Sequence, residues 1–260
     1  IGAAVLVEVT RQAATDLESI YGEVEFIVAQ ASVNEAIDEL SATAFPEPRT
    51  KYRRLLQHVF DPAFVDTTSF SRFISRFYLI LPRPRVALTS GGVVSLQSFH
   101  EHEFQVAETS LEEFLSSYLA PTYNFAIRRE RVVLGAGLRP TDAIIMLHTL
   151  SATASTSDSL LVLLNTREIR EELEAASFAE GSAVFIVDRQ GTVLDSLIRE
   201  NRGFPLSSPP APARDDIAGW QFPADSAEYS VASPSGRIRL VARVARQVFT
   251  SRAAFVRRTT

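Results

Sequence analysis

Between Leu6 and Leu40, small or apolar residues recur at alternating steps of four and three: Leu6, Thr10, Ala13, Leu17, Ile20, Val24, Ile27, Ala31 and Asn34. An average step of 3.5 residues is the seam of a long helix packed on a partner helix. Glu8, Arg11, Asp16, Glu18, Glu23 and Glu25 lie largely off that seam, and Gly22 is the only glycine in the stretch. At 1.5 Å per residue, such a helix would run about 50 Å, more than the diameter of a small domain. Two readings follow, a spine or dimerisation helix over residues 6–40 and a core helix of one domain. Pro46 and Pro48 end the pattern, because neither can donate to a helical ladder and each restricts its predecessor.

Downstream, the period changes. Lys51–Phe60 reads as a short helix with Tyr52, Leu55, Leu56 and Val59 on one face. Phe73–Leu81 and Arg85–Thr89 alternate as strands around the Pro82–Pro84 connection, and Ser90-Gly91-Gly92 supplies a turn. Leu111–Leu119 is predicted as a helix capped by Ser110, with Glu112 and Glu113 where the helix dipole favours carboxylates. Strands are expected over Phe125–Leu134, Ala143–Leu150 and Leu160–Leu164, and a helix over Thr166–Ala176 with Ile169 and Leu173 inward. Ala183–Val187 and Thr192–Leu197 form one hairpin; Tyr229–Ser233 and Arg237–Val244 form another. The proline-rich segment Pro205–Asp216 reads as a surface loop, and a short helix from about Gln247 leads out through Arg257-Arg258. Strands grouped with helices in this order indicate α+β architecture rather than alternating βαβ units.

Composition narrows the class. Across 260 residues, 46% are hydrophobic and 22% charged, enough apolar material for a core. A net charge of −5 argues against nucleic-acid binding spread over the chain. The absence of cysteine excludes disulfides, thiolate metal sites and cysteine nucleophiles. The chain starts at Ile1 and its only methionine is Met146, so a processed chain or an excised segment is expected. Ile1–Val7 is apolar, either the tail of a membrane helix or the buried first turns of a soluble one. No apolar run reaches the roughly 18 residues needed to span a bilayer.

Catalytic signatures are missing: there is no phosphate-binding loop, nucleophile elbow, zinc-protease helix or dinucleotide fingerprint. His100-Glu101-His102-Glu103 would place two histidines on one face if extended, enough to begin a metal site, but a solvated loop is the better reading. No metal or cofactor is assigned. His148, within Ile144–Leu150, is either a hydrogen-bonded strand residue or a pocket group. Arg128-Arg129-Glu130-Arg131 is too short and too neutralised for a nucleic-acid stripe and reads as a solvated strand or turn. Arg257-Arg258 would suit anionic headgroups or a frayed tail equally well.

Three segments carry a family likeness. The first is Tyr78-Leu-Ile-Leu-Pro82 followed by Arg85-Val-Ala-Leu-Thr-Ser-Gly-Gly-Val-Val-Ser-Leu96. The second runs from Leu160 through Asn165 and a charged helix to Val184-Phe-Ile-Val-Asp-Arg-Gln-Gly-Thr-Val-Leu194. The third is Arg239–Phe249, a strand running into a helix. In this order they resemble the extracytoplasmic double Cache sensors, the tandem PAS-like domains of bacterial transmembrane receptors. The first segment is most similar to versions carried by membrane-anchored AraC-type transcription regulators.

The resemblance implies a helix over 1–45, a membrane-distal PAS-like module over 46–165, a membrane-proximal one over 166–250 and an exit segment over 251–260. It further implies an extracytoplasmic segment at the cell membrane, flanking membrane helices outside the sequence and a signalling output beyond them. In such modules a small molecule lies between the sheet and the helices covering it, in an apolar pocket with a few polar groups. On the first distal strand, Ile74, Arg76, Tyr78 and Ile80 share one face, and Phe73, Ser75, Phe77 and Leu79 share the other. Arg76 and Tyr78 would suit an anionic or hydroxylated ligand, with Thr89, Tyr123 and His148 as further candidates. The alternative is a surface arginine and a core tyrosine in a collapsed, filled module. The amino-acid-binding subgroup carries a Tyr/Arg/Trp/Tyr cluster and a later Asp in its distal module; the only tryptophan here, Trp220, lies far downstream.

The expectation is therefore a non-enzymatic sensor with an unidentified small-molecule ligand, a possible homodimer through 6–40 and no bound nucleic acid. A passive protein-interaction or spacer ectodomain is the competing reading, and an enzyme comes third.

Overall fold

A computed structural model describes residues 2–32, 35, 37, 39, 72–89, 91–119, 125–152, 157–176, 182–188, 191–199, 219–222, 226–233 and 236–246. Helix α1 spans Gly2–Ser32. Every described member of the seam from Thr10 to Ala31 is buried, and so are Ala14, Tyr21 and Val28 beside it. The apolar stripe is thus three positions wide per two turns, wider than a two-position coiled-coil seam. The seam positions from Thr10 to Ala31, on which the dimerisation reading of 6–40 rested, are thus covered within one chain. Off the stripe, Arg11 pairs with Glu8 at 3.3 Å and Gln12 donates to Asp16 at 2.9 Å, both exposed. Among the described residues no helix is long and apolar enough to cross a membrane.

The chain divides into two compact units, residues 22–166 and residues 1–21 with 167–260. Residues 22–166 build a seven-stranded antiparallel sheet of order β3-β2-β1-β7-β6-β5-β4. The strands are β1 (Ile74–Leu81), β2 (Val86–Thr89), β3 (Gly92–Ser95), β4 (Gln105–Val106), β5 (Phe125–Val133), β6 (Thr141–Ala152) and β7 (Ser157–Leu164). Tyr78–Leu81, Ala143–Leu147 and Ser159–Leu164 are buried at every position, so the middle of the sheet is covered on both faces. Helices α2 (Leu96–His102) and α3 (Leu111–Tyr118) cover one of them, where Leu96, Phe99, Leu111 and Phe114 join Tyr78, Ile80, Ile145, Leu147, Leu161 and Leu163.

Sequence patterning missed three of these elements, β3, α2 and the two-residue β4. Gly92, placed in a turn, begins β3, and its φ of 123° is open only to glycine. The segment read as a solvated histidine loop is α2, capped by the Ser95 hydroxyl accepting from the Ser98 amide. Helix α3 forms as predicted, with the Ser110 hydroxyl accepting from the Glu113 amide at 3.2 Å.

The other unit holds helix α4 (Thr166–Ala176), as predicted, and a five-stranded antiparallel sheet of order β10-β11-β12-β8-β9. Its strands are β8 (Ser182–Asp188), β9 (Val193–Arg199), β10 (Gly219–Gln221), β11 (Ser226–Ala232) and β12 (Ile238–Ala245). Ile169 and Leu173 of α4 are buried, and Arg170 lies 3.6 Å from the buried Asp195 carboxylate. Glu228 and Arg243 face each other across β11 and β12. They form an ion pair at 2.6 Å with side chains only 5% and 6% exposed, and the guanidinium lies 5.1 Å over the Phe185 ring. The helix at 51–60, the loop at 205–216 and the exit helix beyond Gln247 fall outside the described residues.

Leu17→Ala, in the buried stripe, lowers unfolding stability by about 2–5 kcal/mol in denaturant titration. Phe26→Ser, at a position 57% exposed, stays within about 0.5 kcal/mol of the parent. Glu228→Gln removes the carboxylate charge facing the buried Arg243 guanidinium and destabilises by about 3–5 kcal/mol, whereas the double change E228M/R243M recovers most of that loss.

Candidate functional site

The register of the large sheet fixes which side chains meet. Tyr78 lies level with Leu161, which lies level with Leu147, which lies level with Ala126. One step along, Arg76, Leu163, Ile145 and Arg128 form the adjacent row. Both rows belong to the helix-covered face, so its apolar middle is bounded by an arginine on β1 and another on β5.

Five aromatic rings cap this face. Tyr78 meets Phe99 edge-on at 5.0 Å and Phe104 at 6.1 Å. Phe104 lies 5.9 Å from Phe114, which stacks on Tyr118 at 5.5 Å. Arg128 closes the series 5.0 Å over the Tyr118 ring. Each margin therefore carries the same trio of residue types, Arg76, Tyr78 and Glu103 at one and Arg128, Tyr118 and Glu130 at the other.

Their electrostatics differ with burial. Burial raises the Tyr78 phenol, and the Arg76 guanidinium pulls it partly back; that phenol in turn holds Arg76 above its ordinary value. Tyr78 is 2% exposed, and its hydroxyl makes no hydrogen bond of good geometry. Tyr118 is pushed up to about 12, chiefly by burial and then by the Glu130 carboxylate, with Arg128 opposing. Neutral phenols next to guanidinium groups offer both a donor hydroxyl and a positive charge, the combination that recognises carboxylates and hydroxylated anions.

The other sequence candidates are placed differently. Thr89 is buried and shares its face with Ala87, level with Ile80, but its hydroxyl accepts from the Gly91 amide at 3.1 Å and donates to the Gly92 carbonyl at 3.3 Å. His148 lies level with Leu160 and Phe125, on the opposite face from Tyr78, with the Phe125 ring at 6.0 Å and Nδ1 at 2.9 Å from the Thr149 carbonyl. Tyr123 lies outside the described residues. His100 and His102 sit on α2, His100 buried and His102 exposed. Among the described residues no three His, Asp or Glu side chains are grouped to hold a metal ion.

No family model and no curated protein matches the sequence. Solved structures do resemble the fold. The periplasmic sensory domain of the Campylobacter jejuni chemoreceptor Tlp1 superposes with a TM-score of 0.53 at 12% identity, over 93% of this chain and 94% of that one. A domain of a sensory box/GGDEF family protein from Vibrio parahaemolyticus gives 0.50 at 9% identity, over 95% and 97%. The α+β fold is shared with these two domains. An extracellular ligand-binding receptor from Desulfohalobium retbaense gives 0.46 at 13% identity; it is aligned over 91% of this chain, which spans only 39% of that receptor.

Within this sensor-domain fold, patterning found one Arg–Tyr pair and missed the other. Arg76 and Tyr78 are two apart on a strand, so simple alternation places them together. Tyr118 lies in a helix seven residues before β5, and only the packing of α3 brings it under Arg128. The alternation of Arg128 and Glu130 with the exposed Arg129 and Arg131 was the available signal. In a spectrophotometric titration of the folded chain, one tyrosine is expected to ionise near pH 12, and Tyr118→Phe removes that step.

Proposed function

We propose that this chain is the extracytoplasmic ligand-sensing part of a membrane-anchored bacterial receptor. The ligand is a small anionic or hydroxylated molecule taken on the helix-covered face of the seven-stranded sheet. The observation that carries this reading is the pairing of Arg76 with the buried, unsatisfied Tyr78 hydroxyl at the margin of an otherwise apolar aromatic face. A binding face of that type, mostly apolar with few polar groups, suits a small molecule. The likeness of fold to a periplasmic sensory domain supports the same role. The membrane-distal assignment of 46–165, the proximal one of 166–250 and an AraC-type output beyond the membrane rest on the sequence likeness of 78–96, 160–194 and 239–249.

One observation favours a second reading, a passive interaction domain: Phe99, Phe104 and Phe114 fill the space behind Tyr78 and are essentially inaccessible. A thermal-shift screen against carboxylates, hydroxy acids and sugar acids separates the two. The sensing reading expects a hit whose stabilisation reaches about 2.7 kcal/mol at a hundred times its Kd. It also expects Arg76→Ala and Tyr78→Phe each to weaken that hit at least about tenfold, the loss of roughly one charge-assisted hydrogen bond. A library without hits, or hits unmoved by both variants, favours the passive domain.

A further inference from the structure

Helix α2 carries two histidines in unlike surroundings. His102 is exposed, with Nδ1 3.9 Å from Glu101. His100 is 6% exposed, and its ring centroid lies 6.3 Å from that of Phe114 on α3. Its Nε2 is enclosed without a hydrogen-bond partner, while the Thr109 backbone contacts the ring.

That geometry tolerates only one protonation state well. In neutral imidazole a single nitrogen donates and the other is an acceptor; in the protonated ring both donate. Protonation would therefore enclose a charge and an N–H with no acceptor, far more costly than one unused lone pair. Strands β2, β3 and β4, which pack on α2, carry no ionisable side chain, and from β1 the Tyr78 phenol meets Phe99 of α2. The ionisable side chains on α2, the following connection and α3 are Glu101, His102, Glu103, Glu108, Glu112, Glu113 and Tyr118, and the Glu101 charge acts on the ring. Glu112 is engaged by Arg85 at 3.0 Å. Burial holds His100 below the ordinary histidine range, outweighing the Thr109 backbone hydrogen bond and the Glu101 carboxylate, both of which favour the protonated ring.

We propose that His100 is a proton-operated latch: the neutral ring seats α2 on α3, and its protonation in mildly acid surroundings frees α2 from the aromatic cap. Leu96 and Phe99 of α2 belong to the same core as Tyr78, so release of α2 reaches the face described above. The latch stands independently of any ligand. Its sign is fixed by linkage: the folded chain binds this proton less readily than the unfolded chain. The stabilisation by His100 is therefore full above the free histidine value of about 6.5, and it is lost as pH falls from there through the depressed folded value.

NMR of the full chain from about pH 8 to about pH 4.5 tests this, since histidine is the side chain that titrates in that range. The His100 ring is expected to titrate below the ordinary histidine range. The backbone amides of 96–102 and the Phe114 ring should change with the His100 midpoint, and local opening of α2 should rise by up to about tenfold per pH unit. His100→Gln removes the transition in α2, and His102→Gln keeps it. The latch is overturned if the wild-type α2 and Phe114 signals stay unchanged while His100 titrates, or if H100Q shows the same transition. The wild-type titration decides alone if the variant does not fold.

Discussion

The middle of the seven-stranded sheet is buried on both faces, and the larger unit is organised by the need to cover it. Strands β1, β6 and β7 expose none of Tyr78–Leu81, Ala143–Leu147 or Ser159–Leu164. A bare sheet of that composition would present aliphatic rows to water on both sides, at roughly 25 cal/mol for each Å² left uncovered. On the helical side, two short elements of seven and eight residues supply the cover. Helices so short have little stability of their own, so packing holds them. Phe99, Phe104 and Phe114 provide the area for that packing, and the serine caps Ser95 and Ser110 set where each helix begins.

This way of covering the sheet also explains where polarity appears. The apolar rows run out at β1 and β5, and there the face turns to Arg76 with Glu103 and to Arg128 with Glu130. A tyrosine of the ring cap meets the charge at each margin, Tyr78 beside Arg76 and Tyr118 with the Arg128 guanidinium over its ring. The smaller unit handles polarity otherwise. It buries one complete ion pair, Glu228 with Arg243, whose charges cancel within a single cross-strand rung. A pair satisfied that way holds register, whereas the half-satisfied groups beneath α2 and α3 retain unspent hydrogen-bonding capacity.

Much of this was legible in the sequence where one period dominated. The strands around Tyr78, Met146, Val162, Phe185, Tyr229 and Val241, and the helices with Phe114 and Ile169, follow alternation or helical spacing and cap chemistry. The 3.5-residue spacing of α1 was read correctly as a helix, while the full width of its apolar stripe was not. Ala14, Tyr21 and Val28 widen the stripe, and a wide stripe belongs to a domain core. Leu96–His102 escaped because a seven-residue segment holding two histidines and a glutamate has no clear period. His148 and Tyr78 were grouped as pocket candidates because their strands were expected to be neighbours. Only the register, with Leu147 level with Leu161, shows that they point to opposite faces. Tyr118 and Arg128 meet through tertiary packing that no local pattern encodes.

If the aromatic cap is a cover held by packing on a rigid, doubly buried sheet, the two should open separately. Native-state hydrogen exchange on the full chain at neutral pH measures this directly. The account predicts that amides of 96–102 and 111–118 exchange through local openings of clearly lower free energy than those of β1, β6 and β7, which exchange last. Equal protection across cap and sheet, with both released only in one common unfolding, would contradict it.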